Sequence, residues 1–124
     1  YRADIGKDAM PIRWMPLEAI LFGRFTTYSD VWSFGIVLWE IFSYALQPYY
    51  GLSHEQVIDY LKDGKVLVSP EACPPPVYAL MRQCWQVEPP ARASFDSLVK
   101  ELDNLHETLV ANAVRGNNGN NNTN

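Results

Sequence analysis

One stretch limits the possible folds more than any other: Thr27 to Ser43, TYSDVWSFGIVLWEIFS. Val31, Phe34, Leu38, Ile41 and Phe42 recur at helical spacing, and Trp32, Ile36, Val37 and Trp39 fill most of the remaining circumference. A helix that is apolar nearly all round is buried nearly all round, so the stretch predicts a central helix against which shorter elements pack. Thr27, with Asp30 three residues on, fits a helix-start signal in which side chains satisfy the first free N–H groups. A membrane span is excluded, because spanning takes roughly 20 mostly apolar residues and this run carries Asp30, Ser33 and Glu40.

A chain of 124 residues, 48% hydrophobic and 19% charged, suits one globular core. Its net charge of −4 leaves no basic face for nucleic acid. Cys73 and Cys84 are the only thiols, and both neighbour packed positions, so they read as buried and reduced. The first residues lack the apolar core of a signal peptide, and the chain does not begin with Met, so it reads as a processed piece or a fragment.

Residues 1–10 are polar and without period, which predicts a mobile loop. Pro11 and Pro16 bracket a run with Trp14 and Met15. Pro16 is suited to open a short helix ending near Gly23, with Glu18 in its first turn. After the central helix comes a turn-rich connection with Pro48 and Gly51. Ser53 and Gln56 then form a capping-box signal for a helix lined by Val57, Ile58 and Leu61 and stopped by Gly64. Lys65 to Pro76 reads as irregular. Val77, Leu80, Met81, Cys84 and Trp85 mark one face of a further helix, closed before Pro89. Ser94 is placed to cap a last helix carrying Phe95, Leu98, Val99, Leu102, Leu105 and Leu109. From Asn112 the asparagine-rich sequence cannot offset its ordering entropy and is expected to be disordered. The fold class is mainly α, with no convincing strand. The expected division is residues 1–15, a helical body at 16–109 and a disordered tail at 110–124.

Pro11-Ile-Arg-Trp-Met, Ser29-Asp-Val-Trp-Ser-Phe-Gly-Ile-Val-Leu-Trp-Glu-Ile-Phe, Gln47-Pro-Tyr-Tyr, Cys73-Pro-Pro, Met81-Arg-Gln-Cys-Trp and Arg92 occur in that order. Together they resemble the helical C-terminal lobe of a protein tyrosine kinase, most like the receptor kinases of the Trk, ROR and muscle-specific kinase group. Kinases also carry a Gly-rich loop, a strand Lys, a His-Arg-Asp loop and Asp-Phe-Gly, followed by Ala-Pro-Glu. Only the last has a counterpart, Pro16-Leu17-Glu18. The resemblance therefore implies that the catalytic Asp and the residues that hold ATP and Mg2+ in the complete kinase precede Tyr1. It implies no catalytic residue and no bound metal or cofactor here, and a fragment inactive by itself.

By the same resemblance, Tyr1 is the last phosphorylated tyrosine of an activation segment. Residues 1–15 are the end of that segment and a peptide-substrate platform. There Pro11 supports the acceptor ring and Met15, with Ile12 beside it, shapes the neighbouring pocket. Glu18 and Arg92 form a buried ion pair, although Leu17 and Ala93 replace the prolines usual beside them. Asp30 reads either as a local cap or as the residue that holds the catalytic loop against the central helix, and Trp32 is core beneath these supports. His54 and His106 have no metal-ligand neighbours. The resemblance implies tyrosine-bearing protein substrates, a receptor dimer partner, and a cytoplasmic position in a plasma-membrane receptor, with no membrane contact by this segment. A non-catalytic, partner-binding kinase-like module is the rival. An unrelated helical interaction domain is a second, and it expects no buried contact between Glu18 and Arg92.

Overall fold

The structure, a computed structural model, describes the backbone of residues 11–121 and the side chains of residues 11–116. Tyr1 and the loop expected to its C-terminal side lie outside the described residues. The chain divides into two compact units, Tyr1–Ser94 and Phe95–Asn124.

In the first unit, α1 (Leu17–Phe22), α2 (Thr27–Phe42), α3 (His54–Lys62) and α4 (Pro75–Cys84) follow one another, with 3-10 turns at Ile12–Trp14 and Pro89–Ala91. Among the described residues there is no strand, as the sequence predicts. Pro16 precedes α1, and Gly23 ends it at φ 63°, a left-handed conformation that costs glycine nothing. Ser53 and Gln56 close the expected capping box on α3, the Ser53 Oγ accepting from Gln56 N and the Gln56 Oε1 from Ser53 N. Pro75 and Pro76 occupy the first turn of α4, where a missing N–H leaves no orphan acceptor.

Two expectations for α2 are corrected. Its cap is Thr26, one residue earlier than Thr27: the Thr26 hydroxyl accepts from Tyr28 N and Ser29 N, and the Ser29 Oγ accepts in return from Thr26 N. Asp30 is no cap; its N–H donates to Thr26 O as an ordinary helical residue. Nor is α2 buried all round. Val31, Trp32, Ile36, Leu38 and Trp39 are core, whereas Asp30, Val37 at 42% and Ile41 at 62% exposure form an open row beside half-buried Phe34.

Packing of the unit centres on α2 against α4. Gly35 faces the end of α4, where an added Cβ would lie 2.7 Å from the Cys84 Cβ and 2.6 Å from the Trp85 Nε1. Cys73 and Cys84 are free and buried, as expected. Burial pushes the Cys84 thiol up to about 12, the Arg92 charge opposing it, so the sulfur stays protonated and inert at neutral pH.

Beyond α2 the chain turns sharply. Tyr44 and Ala45 both take positive φ, 59° and 67°, and the Ala45 N–H closes on Glu40 O at 2.8 Å. A side chain in this region costs about 1–2 kcal/mol, partly offset by the entropy a glycine would lose. Ala45→Gly is thus expected to stabilise the chain by about 0.5–1 kcal/mol, read as a higher urea midpoint.

The segment from Lys65 to Pro70 is irregular, as expected, and has no strand beside it. Its carbonyl groups are taken instead by aromatic donors: Tyr60 Oη on Val66 O at 3.0 Å, Tyr78 Oη on Leu67 O at 2.7 Å, and Trp39 Nε1 on Val68 O at 2.8 Å.

In the second unit α5 runs from Phe95 to Asn121, starting directly after Ser94. Its helical backbone runs past Asn112, where Ala111, Ala113 and Arg115 are good helix formers. Leu98 is buried and Leu102 and Leu105 are half-buried, whereas Val99, Leu109 and the described positions after it are exposed.

Candidate functional site

Pro11 to Met15 forms a single 3-10 turn, closed by Trp14 N on Pro11 O at 2.9 Å and Met15 N on Ile12 O at 3.1 Å. Two backbone bonds cannot make so short a turn rigid. Its order comes from α2 and from the loop after it. Trp14 is held at both ends: its indole N–H donates to Glu40 Oε1 at 2.6 Å, and its carbonyl accepts from the Ser33 hydroxyl at 2.6 Å. The indole bond ends on a carboxylate, which makes it one of the stronger kind. The Arg13 guanidinium reaches the other way, to Pro48 O, Tyr49 O and Leu52 O at 3.0, 3.0 and 2.6 Å.

Ser33 and Glu40 lie seven residues apart on one stripe of α2, and Pro48 to Leu52 belongs to the connection from α2 to α3. The three residues expected to form the platform differ in exposure: Pro11 is open, Ile12 half-buried and Met15 buried at 6%.

Glu18 and Arg92, 74 residues apart in sequence, form a two-pronged ion pair, Nη1 to Oε2 at 2.6 Å and Nη2 to Oε1 at 3.0 Å. Arg92 also donates to Gln86 O, Tyr28 O and Val87 O, so one buried fork ties the start of α1 to the start of α2 and to the turn after α4. Its guanidinium carbon lies 5.0 Å from the centre of the Trp32 ring, a cation–π contact under the pair. The Trp32 and Trp85 indole N–H groups are buried without a partner, beside a cavity of about 40 Å³ that Glu18 and Arg92 also line. That volume suffices for an ordered water.

Asp30 stands apart from both clusters. Its carboxylate is exposed and has no partner among the described residues, on the open row that continues through Val37 and Ile41. No group of His, Cys, Asp and Glu among the described residues could hold a metal ion.

The sequence reading singles out Glu18, Arg92, Asp30 and Trp32 but passes over Arg13, Ser33 and Glu40. Glu40 carries a usable signal: a carboxylate inside an apolar helix needs a partner. Arg13 carries none, because its acceptors are backbone atoms 35 and more residues away.

The family model described as "Protein tyrosine and serine/threonine kinase" matches residues 1–102. The chain belongs to this kinase family. Its helices and the absence of strands among the described residues are those of the helical lobe of a kinase. The kinase segment is 50% identical over 107 residues to the tyrosine-protein kinase transmembrane receptor Ror of Drosophila melanogaster, a match covering 86% of this chain and 16% of the relative. It is 53% identical to the high affinity nerve growth factor receptor of Rattus norvegicus, over 85% of this chain and 13% of the relative. It is 51% identical to the BDNF/NT-3 growth factors receptor of Gallus gallus, again over 85% and 13%. The chain thus spans only a small part of the length of these relatives. No helix among the described residues is long and apolar enough to cross a membrane.

Proposed function

We propose that this chain is the peptide-positioning part of a receptor protein-tyrosine kinase that transfers the ATP γ-phosphoryl group to protein tyrosines. Pro11, Ile12 and Met15 form the surface on which the acceptor segment rests. Segments outside this chain hold ATP and Mg2+ and supply the catalytic Asp. Tyr1 is the phosphorylated residue of the activation segment. Phosphoryl transfer asks a protein mainly for positioning and for charge stabilisation, and this lobe contributes the first. The complete protein acts on tyrosine-bearing substrates, pairs with a second receptor, and carries this lobe on the cytoplasmic side of the plasma membrane.

The observation that carries the reading is the division of α2 into adjacent working faces. One stripe, Ser33 and Glu40, anchors the Trp14 turn. The next, Asp30, Val37 and Ile41 beside half-buried Phe34, is open at those three residues, with an unpartnered carboxylate at its head. Apolar side chains 42% and 62% exposed on the central helix of a unit suit a face covered by more of the same chain. In this reading the catalytic loop seats there, held by Asp30.

The test is ATP-dependent phosphorylation of a tyrosyl peptide by the longer protein that carries this segment, beside residues 1–124 alone. Transfer by the first and none by the second is the expected result. A longer protein that binds partners but transfers no phosphate would establish the non-catalytic module instead.

A further inference from the structure

We infer that Arg13 is a positioning residue for the acceptor peptide, acting through the Pro48–Leu52 loop and without touching the peptide itself. The inference rests on the reading of Pro11–Met15 as the peptide platform.

Its basis is where the guanidinium is spent. Arg13 makes no ion pair among the described residues, although the chain carries 14 acidic residues. Its planar fork closes instead on three carbonyl oxygens of one loop, at 3.0, 3.0 and 2.6 Å. Such convergence fixes orientation as well as distance, because the donors of a guanidinium lie in one plane. With Trp14 pinned to α2 on one side and Arg13 to the loop on the other, the turn between Pro11 and Met15 is clamped across its width.

The loop is shaped for this. Three carbonyl groups from five consecutive residues meet one side chain only where the backbone curls, and Tyr49 supplies the curl with φ at 56°. A left-handed tyrosine is costly and persists only when its surroundings hold it. Here they do: Tyr49 is buried, its ring meets Tyr60 of α3 edge-on at 5.7 Å, and Tyr60 is itself bonded to Val66 O. A continuous series of contacts therefore runs from α3 through Tyr49 and the loop oxygens to Arg13 and the platform. Losing the Arg13 fork frees the turn to tilt about its Trp14 anchor, which displaces the acceptor hydroxyl without altering any group that meets ATP.

The experiment is steady-state kinetics of the longer kinase carrying this segment, with a tyrosyl peptide and with ATP as varied substrates. Arg13→Gln is expected to raise the peptide KM about tenfold or more, with the ATP KM unchanged. Arg13→Lys, which keeps the charge and loses the fork, should fall between that variant and the parent. Met15→Ala serves as the platform control. A raised peptide KM for Met15→Ala with none for Arg13→Gln overturns the role of Arg13 and leaves the platform reading standing. No change for either overturns the platform reading and the inference together. A parallel rise in both KM values marks general damage and overturns the inference. Where Arg13→Gln does not fold, Arg13→Lys decides: a selective rise in peptide KM supports the role, and an unchanged KM overturns it.

Discussion

Glu18→Ala lowers the stability of the fold by about 3–5 kcal/mol, the loss expected when one partner of a buried pair is removed and the other charge has nowhere to go. The two partners are not equivalent. The Arg92 side chain is 1% exposed and Glu18 15%. Without Glu18, the guanidinium remains fastened by Gln86, Tyr28 and Val87 carbonyl groups in a place that water barely reaches. Without Arg92, the Glu18 carboxylate, already 15% exposed, can recover some hydration, so Arg92→Ala belongs nearer the lower end of the range. Glu18→Gln keeps the shape and one hydrogen bond and should cost less than Glu18→Ala. Urea midpoints of the four proteins, parent included, give the order directly. A cost below about 1 kcal/mol for Glu18→Ala is the behaviour of an exposed pair and would remove the buried fork from any account of stability. The double variant Glu18→Ala with Arg92→Ala should lose less than the sum of the singles, since no charge is then stranded.

Gly35→Ala carries the second large effect, and here the direction is the informative part. At an uncrowded position inside a helix, exchanging glycine for alanine stabilises by about 1 kcal/mol. At Gly35 the new methyl would lie 2.7 Å from the Cys84 Cβ and 2.6 Å from the Trp85 Nε1. The Trp85 ring can swing away, but a Cβ moves only with its backbone, so α2 and α4 must separate. Overpacking of this kind costs about 1–3 kcal/mol, and a clash with backbone-linked atoms belongs at its upper end. The net expectation is a loss of about 2 kcal/mol, the clash less the helix-propensity gain. A raised thermal midpoint for Gly35→Ala would mean that the two helices do not approach so closely.

Much of the local structure is legible in the sequence because its causes are local. Ser53 with Gln56, Gly23 and Gly64 place helix ends through bonds and dihedral angles a few residues wide. The start of α2 is misread by one residue for a local reason too. Thr26 and Thr27 are chemically alike, and the partner that decides between them is Ser29, a less familiar third residue for a capping box than an acid. Asp30 attracts the cap assignment because acids favour first turns generally.

The burial of α2 fails for a different reason. Periodicity marks Val37 and Ile41 as apolar but cannot say whether a cover for them lies within this chain, and here both are exposed. The buried polar contacts divide the same way. Glu18 and Arg92 emerge only from a resemblance, since nothing within 74 residues links them. Arg13 escapes even that, its partners being carbonyl groups that every residue possesses.

The irregular run from Lys65 to Pro70 bears on solubility. A segment outside any helix or sheet ordinarily invites another chain to pair with it where it offers outward donors and outward acceptors in alternation. In this run the carbonyl groups of Val66, Leu67 and Val68 are turned onto Tyr60, Tyr78 and Trp39. An arriving strand finds Val68 exposed at 72% but no free row of acceptors to bond. The three aromatic donors thus fasten the segment to its own helices and, by the same bonds, deny it to a neighbour.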